Sequence, residues 1–124
     1  MISINDKIIS VQIADNKPRQ ARGLMFQEQL EYDEGMFFVF DKLENHNIWM
    51  PNMQFPIDIM WLDDDGRIID IEKDVPACKT ALETLTCPEY GDDSLDSKYV
   101  LEVTAGFVEK FAISIGEIVD IISI

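Results

Sequence analysis

The chain has 124 residues, 24 of them acidic and 10 basic, giving a formal charge of −14 and a pI near 4.2. That length suits a single domain with a sizeable buried core, and the charge argues against binding a nucleic-acid backbone or anionic lipid, which both demand local positive charge. No apolar run approaches the ~20 residues of a membrane helix, so the chain reads as soluble, with no membrane insertion and an acidic, solvated surface.

Ile2 to Ala14 reads as two strand segments around an Asn5-Asp6-Lys7 turn, because Ile9, Val11 and Ile13 alternate with Ser10, Gln12 and Ala14. Asp15-Asn16-Lys17-Pro18 opens a short helix, capped by Asn16 or Asp15, with proline tolerated in the first turn. The helix is expected from about Lys17 to Gly23, with the glycine as its stop and Leu24, Met25 and Phe26 dropping into the core. Arg22 has two readings: a solvated end-of-helix cation, or the guanidinium that pairs with a carboxylate such as Asp58. Gln27 to Glu34 is polar and leads on as a loop or helical turn.

Gly35 to Gly66 carries the densest signal, with both tryptophans, four of the six methionines and the only histidine. Phe37 to Phe40 is a short apolar run of strand formers, expected to be buried on both faces. Asn47 to Met50 gives a second run, and Pro51, Asn52 and Pro56 punctuate the chain. Ile57 to Leu62 resumes as a strand, Asp65-Gly66 suits a tight hairpin turn, and Arg67 to Glu72 returns. Within that strand Ile57, Ile59 and Trp61 share one face, and Asp58, Met60 and Leu62 the other. Asp58 therefore keeps apolar company and requires a donor, a cation, a raised pKa or a wet pocket; the bland alternative is a strand edge open to water. Asp63-Asp64-Asp65-Gly66 resembles a calcium loop only superficially, since Trp61 would occupy its first ligand position and strands flank it. It reads as a solvated hairpin turn.

Lys73 to Asp96 has no sustained period and reads as a long loop with one helical turn near Leu82, a length that is usually functional or stapled. Cys78 and Cys87 supply the staple, a disulfide worth about 2.5 to 3 kcal/mol by loop-closure entropy; two inert thiols are the alternative. Their spacing is neither CxxC nor a complete zinc set. A bridge favours a location outside a reducing cytosol, or a hyperthermophilic source, and free thiols a cytoplasmic one. Tyr99 to Thr104 alternates with Tyr99, Leu101 and Val103 inward and Glu102 opposite. Ala105-Gly106 turns the chain, Phe107 to Ile115 is expected as a short helix stopped at Gly116, and Ile118 to Ile124 as a final strand. The fold expected is mainly β: a compact β-barrel or sandwich-like single domain over residues 1–124, with two short helices.

The ordered motifs ARGLM, GMFFVF, WMPNMQFPIDIMWLDDDG, PAC with CPEY, YVLEVTAGFVEKF and IGEIV resemble the domain-of-unknown-function 192 family, also known as uncharacterised protein family 0127, from Val11 to Val119. The resemblance implies a compact, β-rich, barrel-like domain of bacteria and archaea, often exported or lipid-anchored, with no settled activity. By the same resemblance the family's motif positions fall on Arg22 to Met25, Trp49 and Met50, Asn52, Asp58, and Leu101 with Glu102. Pro51 departs from the pattern, standing where the family often has a basic residue.

Three function classes follow. In a binding or interaction module, Trp49, Met50 and Asn52 line a concavity whose polar contacts come from Arg22, Asp58 and Glu102; the bland alternative is that Trp49 and Met50 fill core volume. In a carboxylate-dependent hydrolase, Asp58 and Glu102 supply an acid–base pair, although there is no G-x-S-x-G elbow, His46 has no orienting partner in sequence, and neither cysteine has an activating histidine. In a copper-handling protein, Met36, Met50, Met53, Met60 and His46 supply soft ligands for Cu(I), against the commoner use of methionine as core filler. The reading carried forward is a module for a small molecule or protein partner, with its pocket near Trp49, Asp58 and Arg22, and no cofactor or resident metal.

Overall fold

The structure, a computed structural model, describes residues 1–50, 52–79 and 87–122. Strands β1 (Ile2–Ile4) and β2 (Lys7–Ala14) form a hairpin whose turn residues, Asn5 and Asp6, adopt φ of 48° and 63°. Short polar side chains tolerate that left-handed backbone better than most. Helix α1 (Lys17–Arg22) follows, with the Asn16 side chain accepting a hydrogen bond from the Arg19 N–H at 2.9 Å, which satisfies one of the orphan donors of its first turn.

Strand β3 (Glu34–Glu44) runs parallel to β2 and continues past the expected Phe40. Then come β4 (Ile48–Trp49), β5 (Ile57–Leu62), β6 (Ile68–Val75), β7 (Glu89–Tyr90), β8 (Ser97–Thr104), helix α2 (Phe107–Lys110) and β9 (Val119–Ile121). Seven strands form one sheet in the order β6-β5-β8-β3-β2-β1-β9, and β4 pairs with β7 separately. The fold is mainly β as expected, with two short helices among the described residues, and its sheet is a curled half-barrel. The curl is tied at one corner, where Arg67 bridges Ile118, the Ile68 N–H reaches the Glu117 carbonyl at 2.9 Å, and the Val119 N–H reaches that of Gly66 at 2.8 Å.

Strand β5 is buried along its whole length. Ile57, Ile59 and Trp61 pack on one side with Met36, Phe38, Met50 and Met53, while Met60 and Leu62 pack on the other with Phe37, Leu101, Val103 and Phe107. The period-two reading of this strand therefore holds, with a core on both faces.

Local expectations fail at several places, and Lys73 to Asp96, expected as a loop, holds the end of β6 and all of β7. The second helix stops at Lys110, because Ala112 takes φ 53° and the chain turns so that Ile113, rather than Ile115, is buried. Phe26, expected inward, is 66% exposed at φ 64°. Cys78 and Cys87 lie at disulfide distance, 6.4 Å between Cα atoms, a normal separation for a bridge. The helical turn expected near Leu82, Pro51 and the last two residues of the expected final strand lie outside the described residues. Among the described residues, no helix is long and apolar enough to cross a membrane.

Candidate functional site

Glu102 sits in the middle of β8, with Met36 of β3 as its cross-strand partner on one side and Ile59 of β5 on the other. Directly paired residues project to the same face, so Glu102 shares the face of the first core cluster. Because β2 and β3 are parallel, the chain between them must cross the sheet, and this crossover carries Arg22, Gly23 and Leu24 over that face. Gly23, at φ 50° and ψ −133°, occupies a backbone region that side chains disfavour. A Cβ placed there would lie 3.5 Å from the Phe38 ring and 4.0 Å from Glu102 Oε1. The opposite wall is β4, held by β7 through the pairs Ile48–Tyr90 and Trp49–Glu89.

Between these walls lies a cavity of about 490 Å³. Its surface is largely apolar, built from Leu24, Phe38, Phe40, Ile48, Met50 and Met53, with Trp49 half exposed at its edge. Glu102 lines it and is 2% exposed, and its carboxyl makes no hydrogen bond or ion pair among the described residues. Burial alone raises its pKa from 4.5 to about 8, because the charged form loses its hydration and gains no donor in return.

The other polar lining groups are engaged or outward. Gln20 Nε2 donates to the Ala14 and Val39 carbonyls at 3.2 and 2.9 Å, fastening α1 to the strands beneath it. Asn47 Nδ2 donates to Asp93 Oδ1 at 2.6 Å, but its Oδ1, buried against Gly91, has no hydrogen-bond partner among the described residues. Arg22 is exposed and makes no ion pair among the described residues.

Of the residues singled out by sequence, Arg22, Trp49, Met50 and Glu102 come together around this cavity, and Asn52 and Asp58 do not line it. Asn52 is a turn residue at φ 57°, whose carbonyl accepts from the Phe26 N–H at 3.0 Å and Gln54 Nε2 at 3.2 Å. Asp58 is fully buried on the other face of the sheet. Its two oxygens accept from the backbone N–H groups of Asp74 and Val108, each at 2.9 Å. The donor that Asp58 required is thus backbone, and of the two readings of Arg22 the pair with Asp58 is not made, the side chain being exposed at the helix end.

The same geometry bears on the other two readings. Asp58 pairs with Val103 and Glu102 with Ile59, so the two carboxylates project to opposite faces and form no acid–base pair. Met60 likewise faces away from Met36, Met50 and Met53, and the His46 ring stacks on Phe40 at 3.7 Å. The five soft ligands do not converge. Asp63, Asp64 and Asp65 do cluster, but Asp63 Oδ1 accepts the Asp65 and Arg67 N–H groups at 2.9 Å each, as a hairpin turn requires.

Phe38 and Phe40, Gln20 and Asn47 were not singled out by sequence. A signal for the first two was present: from Met36 onward every second residue of β3 shares Glu102's face. Nothing local marks Asn47, whose partner is 46 residues away, or the bond from Gln20 to Val39, 19 residues on.

The family model DUF192, described as an uncharacterised ACR, matches residues 1–121. No functionally curated protein matches the chain. A crystal structure of a candidate transcription regulator from Sinorhizobium meliloti 1021 is similar at 27% identity with a TM-score of 0.78, covering 90% of this chain and 81% of that one. A protein of unknown function from Novosphingobium aromaticivorans DSM 12444 is similar at 25% identity with a TM-score of 0.77, covering 91% and 75%.

Proposed function

The chain belongs to the uncharacterised DUF192 family, and from that premise we propose that it is a binding module that takes a small molecule into the cavity between α1, β3, β4 and β8. One observation carries the reading: a buried carboxyl, Glu102, faces an apolar cavity of about 490 Å³ with no partner among the described residues. The volume lies in the range of small-molecule sites, which combine apolar walls with a few polar groups. A buried polar group without a partner costs stability, and a ligand that hydrogen-bonds to it recovers that cost on binding. Trp49 at the edge adds aromatic surface of the kind that anchors ligands.

The role suggested for the Sinorhizobium protein is not extended to this chain, because a charge of −14 opposes a phosphate backbone. Carboxylate-dependent hydrolysis loses its support once Asp58 and Glu102 face apart.

A thermal-shift screen of sugars, peptides, amines and metal ions against the wild type and Trp49→Ala tests the proposal. Trp49 is half exposed, so its removal should change stability by only about 0.5 kcal/mol, while the rise in Tm produced by a bound ligand is lost or reduced. A ligand that stabilises both proteins equally, or no ligand at all, contradicts the cavity as the binding site.

A further inference from the structure

We infer that the ligand of this cavity carries a protonated amine on an apolar body, with the ammonium group meeting the Glu102 carboxyl. The inference rests on the small-molecule reading above and names its ligand class. Among the described residues, Glu102 is the one acid lining the cavity, and Arg22 is the only other ionisable residue there. From the elements packed against it, Glu102 faces Met36 of β3, Ile59 of β5 and the Gly23 backbone after α1, none of which carries a charge. A ligand ammonium supplies the cation and the donors that the protein does not.

Two further features select a cation over an anion or a neutral group. Phe38, Phe40 and Trp49 line the same cavity, and aromatic faces attract alkylammonium groups within about 6 Å. The whole chain carries a charge of −14, a field that concentrates cations and repels anions. The apolar walls of Leu24, Ile48 and Met53 then favour a hydrocarbon or aryl body over a polyhydroxylated one.

Binding is coupled to a proton. With its pKa held up at about 8 by burial, Glu102 is largely protonated at pH 7, and pairing with an ammonium requires that proton to leave to the buffer. Amine affinity should therefore rise about tenfold per pH unit below pH 8 and level off above it.

The experiment is calorimetric titration of the full chain with phenethylamine, 2-phenylethanol and 3-phenylpropionate, at pH 7 in two buffers of different ionisation enthalpy, and with Glu102→Gln. The expected result is preference for phenethylamine, release of about 0.9 proton per amine bound, and an affinity loss of about ten- to a hundredfold in Glu102→Gln. Alcohol or carboxylate binding as tightly as the amine, with affinity still lost in Trp49→Ala, overturns the amine class and leaves the binding module intact. Amine binding unchanged in Glu102→Gln, or without proton release, also overturns it. If none of the three probes binds, the amine assignment falls, and the thermal-shift screen decides the module separately.

Discussion

Asp58 and Glu102 stand one position apart on neighbouring strands, both buried, and the difference between them is what each side chain meets. Asp58 receives two backbone N–H groups, one from β6 and one from the first turn of α2, so its side chain holds the helix to the sheet. Glu102 receives none among the described residues. Asp58→Ala should therefore destabilise by about 1–3 kcal/mol for each amide left without an acceptor, measured by urea unfolding. Hydrogen exchange at Val108 should also lose its protection. A loss below about 1 kcal/mol would show that water replaces the carboxylate. The alternation of IDIMWL and YVLEVT was enough to place each acid relative to its own strand, but not to separate the two onto opposite faces, which depends on the register of β5 with β8. It was not enough to identify Asp58's partners, because backbone amides 16 and 50 residues away leave no local trace.

At the level of elements, the cavity depends on the crossover from α1 to β3. Gly23 ends α1 at φ 50°, ψ −133° and directs Leu24 into the core beside Phe38. Gly23→Ala should cost about 1–3 kcal/mol in backbone strain, read as a lower Tm. The added Cβ meets its neighbours only at 3.5 and 4.0 Å, so contact adds little to that cost. An unchanged Tm would show that the turn relaxes freely. Turns and caps were the most legible elements in the sequence: Asn5-Asp6, the Asn16 cap, the Gly23 stop and the Asp65-Gly66 hairpin all form as read. Apolar residues after a turn misled. Phe26 and Ile115 match a buried pattern in sequence yet are exposed, because positive φ at Phe26 itself and at Ala112 redirects the chain. The pairing of β4 with β7, which brings Trp49 to the cavity, spans some 40 residues and has no periodic signature.

Across the whole molecule, one curled sheet, buried on both faces at strand β5, is tied at the corner where Gly66 to Ile68 meet Gly116 to Val119. A mainly β architecture was legible from composition and alternation, whereas the curl depends on non-local pairing that no segment encodes alone. Glu102 lies at the centre of that sheet, so its ionisation bears on global stability. Its folded pKa, about 8, is raised above the ordinary 4.5 by burial. The folded state therefore holds a proton that the unfolded state releases, and stability present below pH 4.5 is lost as pH rises toward 8. The most direct test is denaturant unfolding of the wild type and Glu102→Gln at pH 5, 7 and 9. Relative to the variant, the wild type should lose about 4 kcal/mol between the lowest and highest pH. Parallel pH dependence in the two proteins would mean that Glu102 already has a partner, and the cavity would lose the acid on which its function is argued.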